Sequence, residues 1–218
     1  MEHPETLHLF LPEPAYDLWV KGELREILGV PDDGTRVEII GGEIVVSPCP
    51  RSGHNVIVSR LQAVFAVAAA NTAAFPWQIL QMTDLNLAGI GDGYIPDLLC
   101  VTADLFEDLG AIDLPHLLPD QVALAVEVTS PSNAAEDRKP GPRRERMTKW
   151  SGYAREGIPY YLLIDRDPKV AKVTLHSDPD RGTGRYRAST SWPFGEPIKL
   201  PDPFNIEIPT EKWQPWTK

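Results

Sequence analysis

Cysteine is scarce in this sequence and long apolar runs are missing from it. The 218 residues include two cysteines, Cys49 and Cys100, and neither sits in a CxxC motif. A disulfide framework or a zinc site therefore has no basis, and a reduced, cytoplasmic protein is the simplest expectation. No apolar stretch reaches the about 20 residues that a membrane helix needs, so no membrane association is expected. The first residues, Met1 to Glu5, lack the basic start and apolar stretch of a signal peptide. Internal repeats and low-complexity tracts are absent as well. The length suits a single domain over residues 1–218, large enough to remove roughly 70% of its unfolded surface from water.

A further absence concerns charge. Between Arg60 and Arg138 there is no Lys or Arg, and every charged residue of that stretch is acidic. The sign then flips, with Arg138, Lys139, Arg143, Arg144, Arg146, Lys149 and Arg155 close together. The net charge of −10 argues against a nonspecific nucleic-acid binder, which is normally basic. An acidic half followed by a basic segment suits a site that holds a cation and grips an anion. On composition alone, a solvated helix face accounts for the basic run equally well.

Apolar spacing predicts a helix over Tyr16–Leu28, ended by Gly29 and Pro31. Arg36–Ile40 and Glu43–Ser47 flank Gly41-Gly42 and predict a hairpin. Val58, Leu61, Val64, Phe65 and Ala68 recur at helical spacing between His54 and Asn71, with Ser52 as N-cap. Trp77–Leu87 and Tyr94–Thr102 read as strands, followed by a short acidic helix at Ala103–Leu109. Val122–Thr129 is nearly all apolar and predicts a central strand buried on both faces. Pro140 and Pro142 delay the next helix to about Arg143–Glu156, and Gly157 closes it. Tyr160–Asp165 is another apolar strand, and Val170–Ser177 with Gly184–Thr190 forms a hairpin-rich end. This order suggests an α/β fold with one mixed sheet flanked by helices.

Two acidic positions interrupt this pattern. Asp97 follows Pro96, which cannot donate to a sheet ladder and marks an edge, bulge or bend. Taken alone, Asp97 reads as a turn carboxylate. Glu127 is the one charge in an otherwise uncharged apolar strand. A buried, unpaired carboxylate costs several kcal/mol, so Glu127 needs a basic side chain, a cation or several hydrogen bonds. A structural ion pair with Lys149 or Arg146 is the bland alternative. Two carboxylates together suit Mg²⁺, which keeps several waters and takes phosphate oxygens as further ligands. Such an ion lowers the pKa of a bound water and stabilises charge on a phosphate. A nearby lysine could orient or deprotonate that water.

Pro96-Asp97 followed by Glu127-Val128-Thr129 resembles the PD…(D/E)xK signature of restriction-endonuclease-type nucleases. The wider set of Arg36–Pro48, Glu127–Ser132, Lys149 with Tyr153-Ala154, and Gly157–Tyr161 with Asp165 resembles the Uma-type family within that superfamily. The resemblance covers roughly residues 16 to 210. It implies a restriction endonuclease-like core, a mixed central β-sheet flanked by helices with added β-hairpins. It also implies Asp97 and Glu127 as ligands of Mg²⁺ or Mn²⁺, Glu38 as a further acid beside the metal, and a backbone carbonyl from Val128. The signature lysine position holds Thr129 instead. The resemblance moves that role to Lys149, four residues before Tyr153 and on the same helix face.

The expected function is metal-dependent hydrolysis of DNA phosphodiester bonds by Glu38, Asp97, Glu127 and Lys149, in a possible homodimer because cutting a duplex takes two active sites. The alternatives are a non-catalytic nucleic-acid- or protein-binding module on the same fold, and a hydrolase of another phosphate ester. His54 reads as a helix-starting residue able to approach a phosphate, and Asp137 and Arg138 as residues that order the loop before Lys149. Trp192, Trp213 and Trp216 read as core or contact residues.

Overall fold

Glycine and proline cut several predicted elements into shorter ones. The computed structural model describes residues 10–72 and 75–217, so the reading of Met1 to Glu5 lies outside the described residues. The first predicted helix is two, α1 (Ala15–Val20) and α2 (Leu24–Ile27), parted at Gly22 with φ 75°. The predicted hairpin forms as β1 (Arg36–Ile40) and β2 (Glu43–Ser47), turning at Gly41 and Gly42, both with positive φ. Next comes α3 (Ser52–Asn71), capped at Arg51 rather than Ser52.

Each of the two strands predicted after α3 is also divided. The first gives β3 (Trp77–Gln81) and β4 (Leu85–Leu87), the second β5 (Asp92–Tyr94) and β6 (Leu98–Thr102). Met82, at φ 54°, turns the chain in the first, and Pro96 interrupts the second. The chain crosses here between two sheets: β3 pairs with β6, and β4 with β5. Each half keeps a strand-like composition, so apolar patterning alone does not reveal the crossing.

The remaining elements are α4 (Ala103–Ile112), β7 (Leu124–Val128), α5 (Ala134–Asp137), α6 (Lys149–Glu156), β8 (Tyr160–Asp165), β9 (Lys172–Asp180), β10 (Arg185–Pro193), β11 (Ile198–Leu200) and β12 (Ile206–Ile208). Helix α6 starts six residues later than predicted, at Lys149 instead of Arg143. The central sheet has the order β10-β9-β8-β7-β6-β3 and is mixed, because β7 and β8 run parallel. A second sheet, β2-β1-β5-β4, is antiparallel, and β11 pairs with β12. The α/β architecture with a mixed central sheet therefore holds, but the first hairpin builds a separate sheet.

Strand β7 is buried along its whole length. Leu124, Val126 and Val128 pack toward Ile57, Leu61 and Phe65 of α3, while Ala125 packs toward Trp150 and Tyr153 of α6. Side chains alternate along a strand, so Glu127 shares the face of Ala125 and points at α6. Among the described residues, no helix is long and apolar enough to cross a membrane.

The seat of α6 depends on Gly152. A Cβ there would overlap the ring and hydroxyl of Tyr94, which is buried. Gly152→Ala is expected to destabilise the fold by about 1–3 kcal/mol through overpacking. A urea midpoint equal to wild type would show that α6 has room to shift.

Candidate active site

Four elements deliver acidic or basic side chains to one buried point. The register of β6 against β7 pairs Leu98 with Val126, and one step further sets Asp97 across from Glu127. Strand β1 contributes Arg36 and Glu38, and α6 opens on Lys149. Glu38, Asp97, Glu127, Lys149, Arg36 and Asp137 are each no more than 3% exposed.

Two ion-paired groups meet there. Asp97 accepts from the Arg36 guanidinium, from the Val128 N–H at 2.7 Å, and lies 2.9 Å from His54 Nε2. Burial works against the charge on Asp97, but Arg36 above all, then His54 and the Val128 N–H, hold its carboxyl well below the usual range. Lys149 Nζ donates to Glu127 Oε1 at 2.9 Å and lies 2.7 Å from Glu38 Oε1, which also accepts the Ile95 N–H at 2.7 Å. Tyr153 donates its hydroxyl to the same Glu127 oxygen at 2.7 Å. Burial pushes Glu127 up to about 7, because it outweighs the pull of Lys149. Burial also disfavours the charged Lys149, yet Glu127, Glu38 and Asp137 together hold its pKa well above normal.

The structure thus places the four expected site residues in two adjoining buried groups, Asp97 in one and Glu38, Glu127 and Lys149 in the other. Val128 enters the first through its N–H. Thr129, in the signature lysine position, is fully buried and does a different job. It donates to Asp165 Oδ1 at 3.3 Å and accepts the Arg166 N–H at 2.9 Å, tying the ends of β7 and β8 together.

Three residues matter more than the sequence suggested. Arg36 has no role of its own in the sequence reading, where it only opens the first hairpin strand, and it is the main partner of Asp97. His54 reaches the same carboxylate from the first turn of α3. Asp137 reads from sequence as a loop-ordering residue, but it lies 4.0 Å from Lys149 Nζ, fully buried, and neither carboxylate oxygen has a hydrogen-bond partner among the described residues. Burial, reinforced by Glu127, raises its pKa well above normal.

Arg138, Arg144 and Arg146 of the basic segment are held in ion pairs, while Arg143 and Arg155 are exposed. Arg138 makes a two-pronged pair with Asp165 at 2.6 and 2.7 Å. Arg144 and Arg146 both bind Glu136, at 2.5 and 2.7 Å, and Arg146 also donates to the Ile40 carbonyl at 2.8 Å. These pairs latch the chain between α5 and α6, which explains why the helix starts late.

The donor set suits a hard divalent cation. Four buried carboxylates face two permanent cations, Arg36 and Lys149, which leaves an excess of two negative charges when all are ionised and His54 is neutral. The unpartnered oxygens of Asp137 mark where that charge is left uncompensated. Among the described residues, no three Asp, Glu, His or Cys side chains are gathered around one cation position, since Arg36, His54 and Lys149 occupy the carboxylates. The fit is one of charge and ligand type.

Comparison with known proteins places the chain among relatives. The family model of Uma2, described as "Putative restriction endonuclease", matches residues 21–211. No curated protein matches the sequence. Among solved structures, the chain is similar to one from Anabaena variabilis described as "a putative nuclease belonging to DUF820". The identity is 16% and the TM-score 0.57, over 85% of this chain and 93% of the other, so the fold is shared.

Proposed function

Since the chain belongs to the Uma2 family, we propose that it is a metal-dependent endonuclease that hydrolyses DNA phosphodiester bonds. The supporting observation is the position of Lys149, whose ammonium joins Glu38 and Glu127 at 2.7 and 2.9 Å beside Asp97. In this reading Asp97 and Glu127 hold Mg²⁺ or Mn²⁺, with Glu38 and the Val128 carbonyl as further ligands. The bound ion supplies a more acidic water and charge stabilisation on the phosphate. Lys149 is held firmly protonated by its acidic neighbours, so its role is to orient the attacking water and offset phosphate charge, not to remove a proton. Cutting both strands of a duplex would need two such sites, hence a homodimer.

The test is cleavage of linear, supercoiled and single-stranded DNA by pure protein with Mg²⁺ or Mn²⁺. Activity that stops with EDTA is the expected result. No cleavage of any form with either ion would sink the reading. A second reading, a non-catalytic binding module, is favoured by the ion pairs that occupy Asp97 and Glu127. It requires no metal binding and unchanged nucleic-acid binding in Glu127→Gln.

A further inference from the structure

A cleft of about 540 Å³ opens over the site, and Arg36 and His54, the two side chains that hold Asp97, form part of its wall. In a chain of net charge −10, no Asp or Glu among the described residues lines this cleft. Its other charged residues are Arg51 and Arg166. Neither has a carboxylate partner among the described residues.

Arg166 is the more telling of the two. It is only 6% exposed, and its Nε donates to the Gln214 carbonyl at 3.2 Å. Its two Nη nitrogens have no acceptor among the described residues. A Cβ built on Gly53 would lie 2.8 Å from one of them, which places the guanidinium against the first turn of α3. That helix is twenty residues long, so its N-terminus carries the full positive end of the macrodipole and free N–H groups. Two positive features thus lie together with no anion between them. Burial without a counter-charge even lowers the Arg166 pKa. The neighbouring Ser52 and Ser132 carry hydroxyls on the same wall, while that of Ser130 is donated to Asn133 Oδ1 at 2.6 Å.

We propose that Arg166, Arg51 and the first turn of α3 form a subsite for a phosphate group. Resting on the nuclease reading, the occupant is a backbone phosphate of the nucleic acid adjacent to the one attacked beside Asp97. The substrate strand then crosses the acidic protein along this acid-free cleft, and α3 fixes its position relative to the buried carboxylates. Phosphate contacts of this kind set register and carry no base preference.

The test uses two probes and two variants. In metal-free protein, inorganic phosphate is expected to raise the melting temperature of wild type but not of Arg166→Gln, with Arg51→Gln intermediate. DNA binding, measured in EDTA so that cleavage plays no part, is expected to lose about one in the slope of log K against log salt for each arginine removed. Arg51 is exposed, so its variant reads the contact even where Arg166→Gln folds poorly. Phosphate stabilisation that needs Arg166, in a protein that binds no DNA, upholds the subsite and overturns the nuclease reading. Unchanged phosphate response and unchanged DNA affinity in both variants overturn the subsite, even where DNA is cleaved.

Discussion

Asp97→Asn is expected to lower metal-dependent DNA cleavage by at least about 10²- to 10³-fold and to abolish Mn²⁺ binding in calorimetry. The choice of asparagine follows from the geometry. Asp97 is the counter-charge of a buried arginine and accepts from Val128 N–H and His54 as well. Alanine would strip all of these at once and leave Arg36 buried without compensation, at a cost of about 3–5 kcal/mol. Asparagine keeps the shape and one acceptor oxygen, so more of the population stays folded. Activity is then counted per folded molecule, using circular dichroism to fix the folded fraction. A purely structural Asp97 would lower the melting temperature and leave turnover per folded molecule near wild type. That pattern, with Mn²⁺ binding retained, would remove Asp97 from the catalytic set.

The legibility of this site was uneven for physical reasons. Glu127 stood out because a charge within an apolar strand demands a partner, and partners came from α6 as Lys149 and Tyr153. The central position of β7 was readable from the same apolar run. Arg36 was not, because the alternation that puts it on the face of Glu38 does not say which strand end lies opposite. The meeting of Arg36 with Asp97 depends on how the sheet of β1 sits against the end of β6, a contact across 61 residues of sequence. Thr129 explains why a local signature misleads: its hydroxyl is spent on joining β7 to β8, and a helix supplies the ammonium instead. The splitting of Trp77–Leu87 and Tyr94–Thr102 had a visible mark only at Pro96. The basic run from Arg138 to Arg146 showed its charge but not its targets, since Asp165, Glu136 and the Ile40 carbonyl come from three separate segments.

Lys149→Met is expected to be the most destabilising single change in the site. It leaves Glu38, Glu127 and Asp137 buried around a methyl group, with Tyr153 and the Ile95 N–H as the surviving partners of the first two. Breaking a buried ion pair from one side costs about 3–5 kcal/mol, a large part of the about 5–15 kcal/mol that holds a typical domain. The loss has a definite pH dependence. Burial raises the folded pKa of Glu127 from 4.5 to about 7, and that of Asp137 well above 3.8. A carboxyl that binds its proton more tightly when folded contributes stability that is complete below its unfolded pKa and is lost as pH rises through the folded one. For Glu127 that window runs from about 4.5 to about 7. Asp97 has the opposite sign, but its window lies below 3.8 and does not overlap. Glu127 and Asp137, with Asp84, which burial raises to about 6, should therefore favour pH 5 over pH 8 in metal-free wild type. His176, whose pKa burial lowers to about 4, pulls the other way. Lys149→Met should steepen the carboxyl part of that fall, since the lysine's pull on Glu127 is gone. A divalent cation substitutes for the missing protons, so Mg²⁺ should stabilise wild type more at pH 8 than at pH 5. Melting curves in EDTA and in Mg²⁺ at the two pH values decide the matter. A Lys149→Met profile in EDTA no steeper than that of wild type would mean that the buried carboxyls share their charge with groups outside this network. A Lys149→Met protein as stable as wild type at pH 8 would show that the ammonium is not what keeps Glu38 and Glu127 buried together.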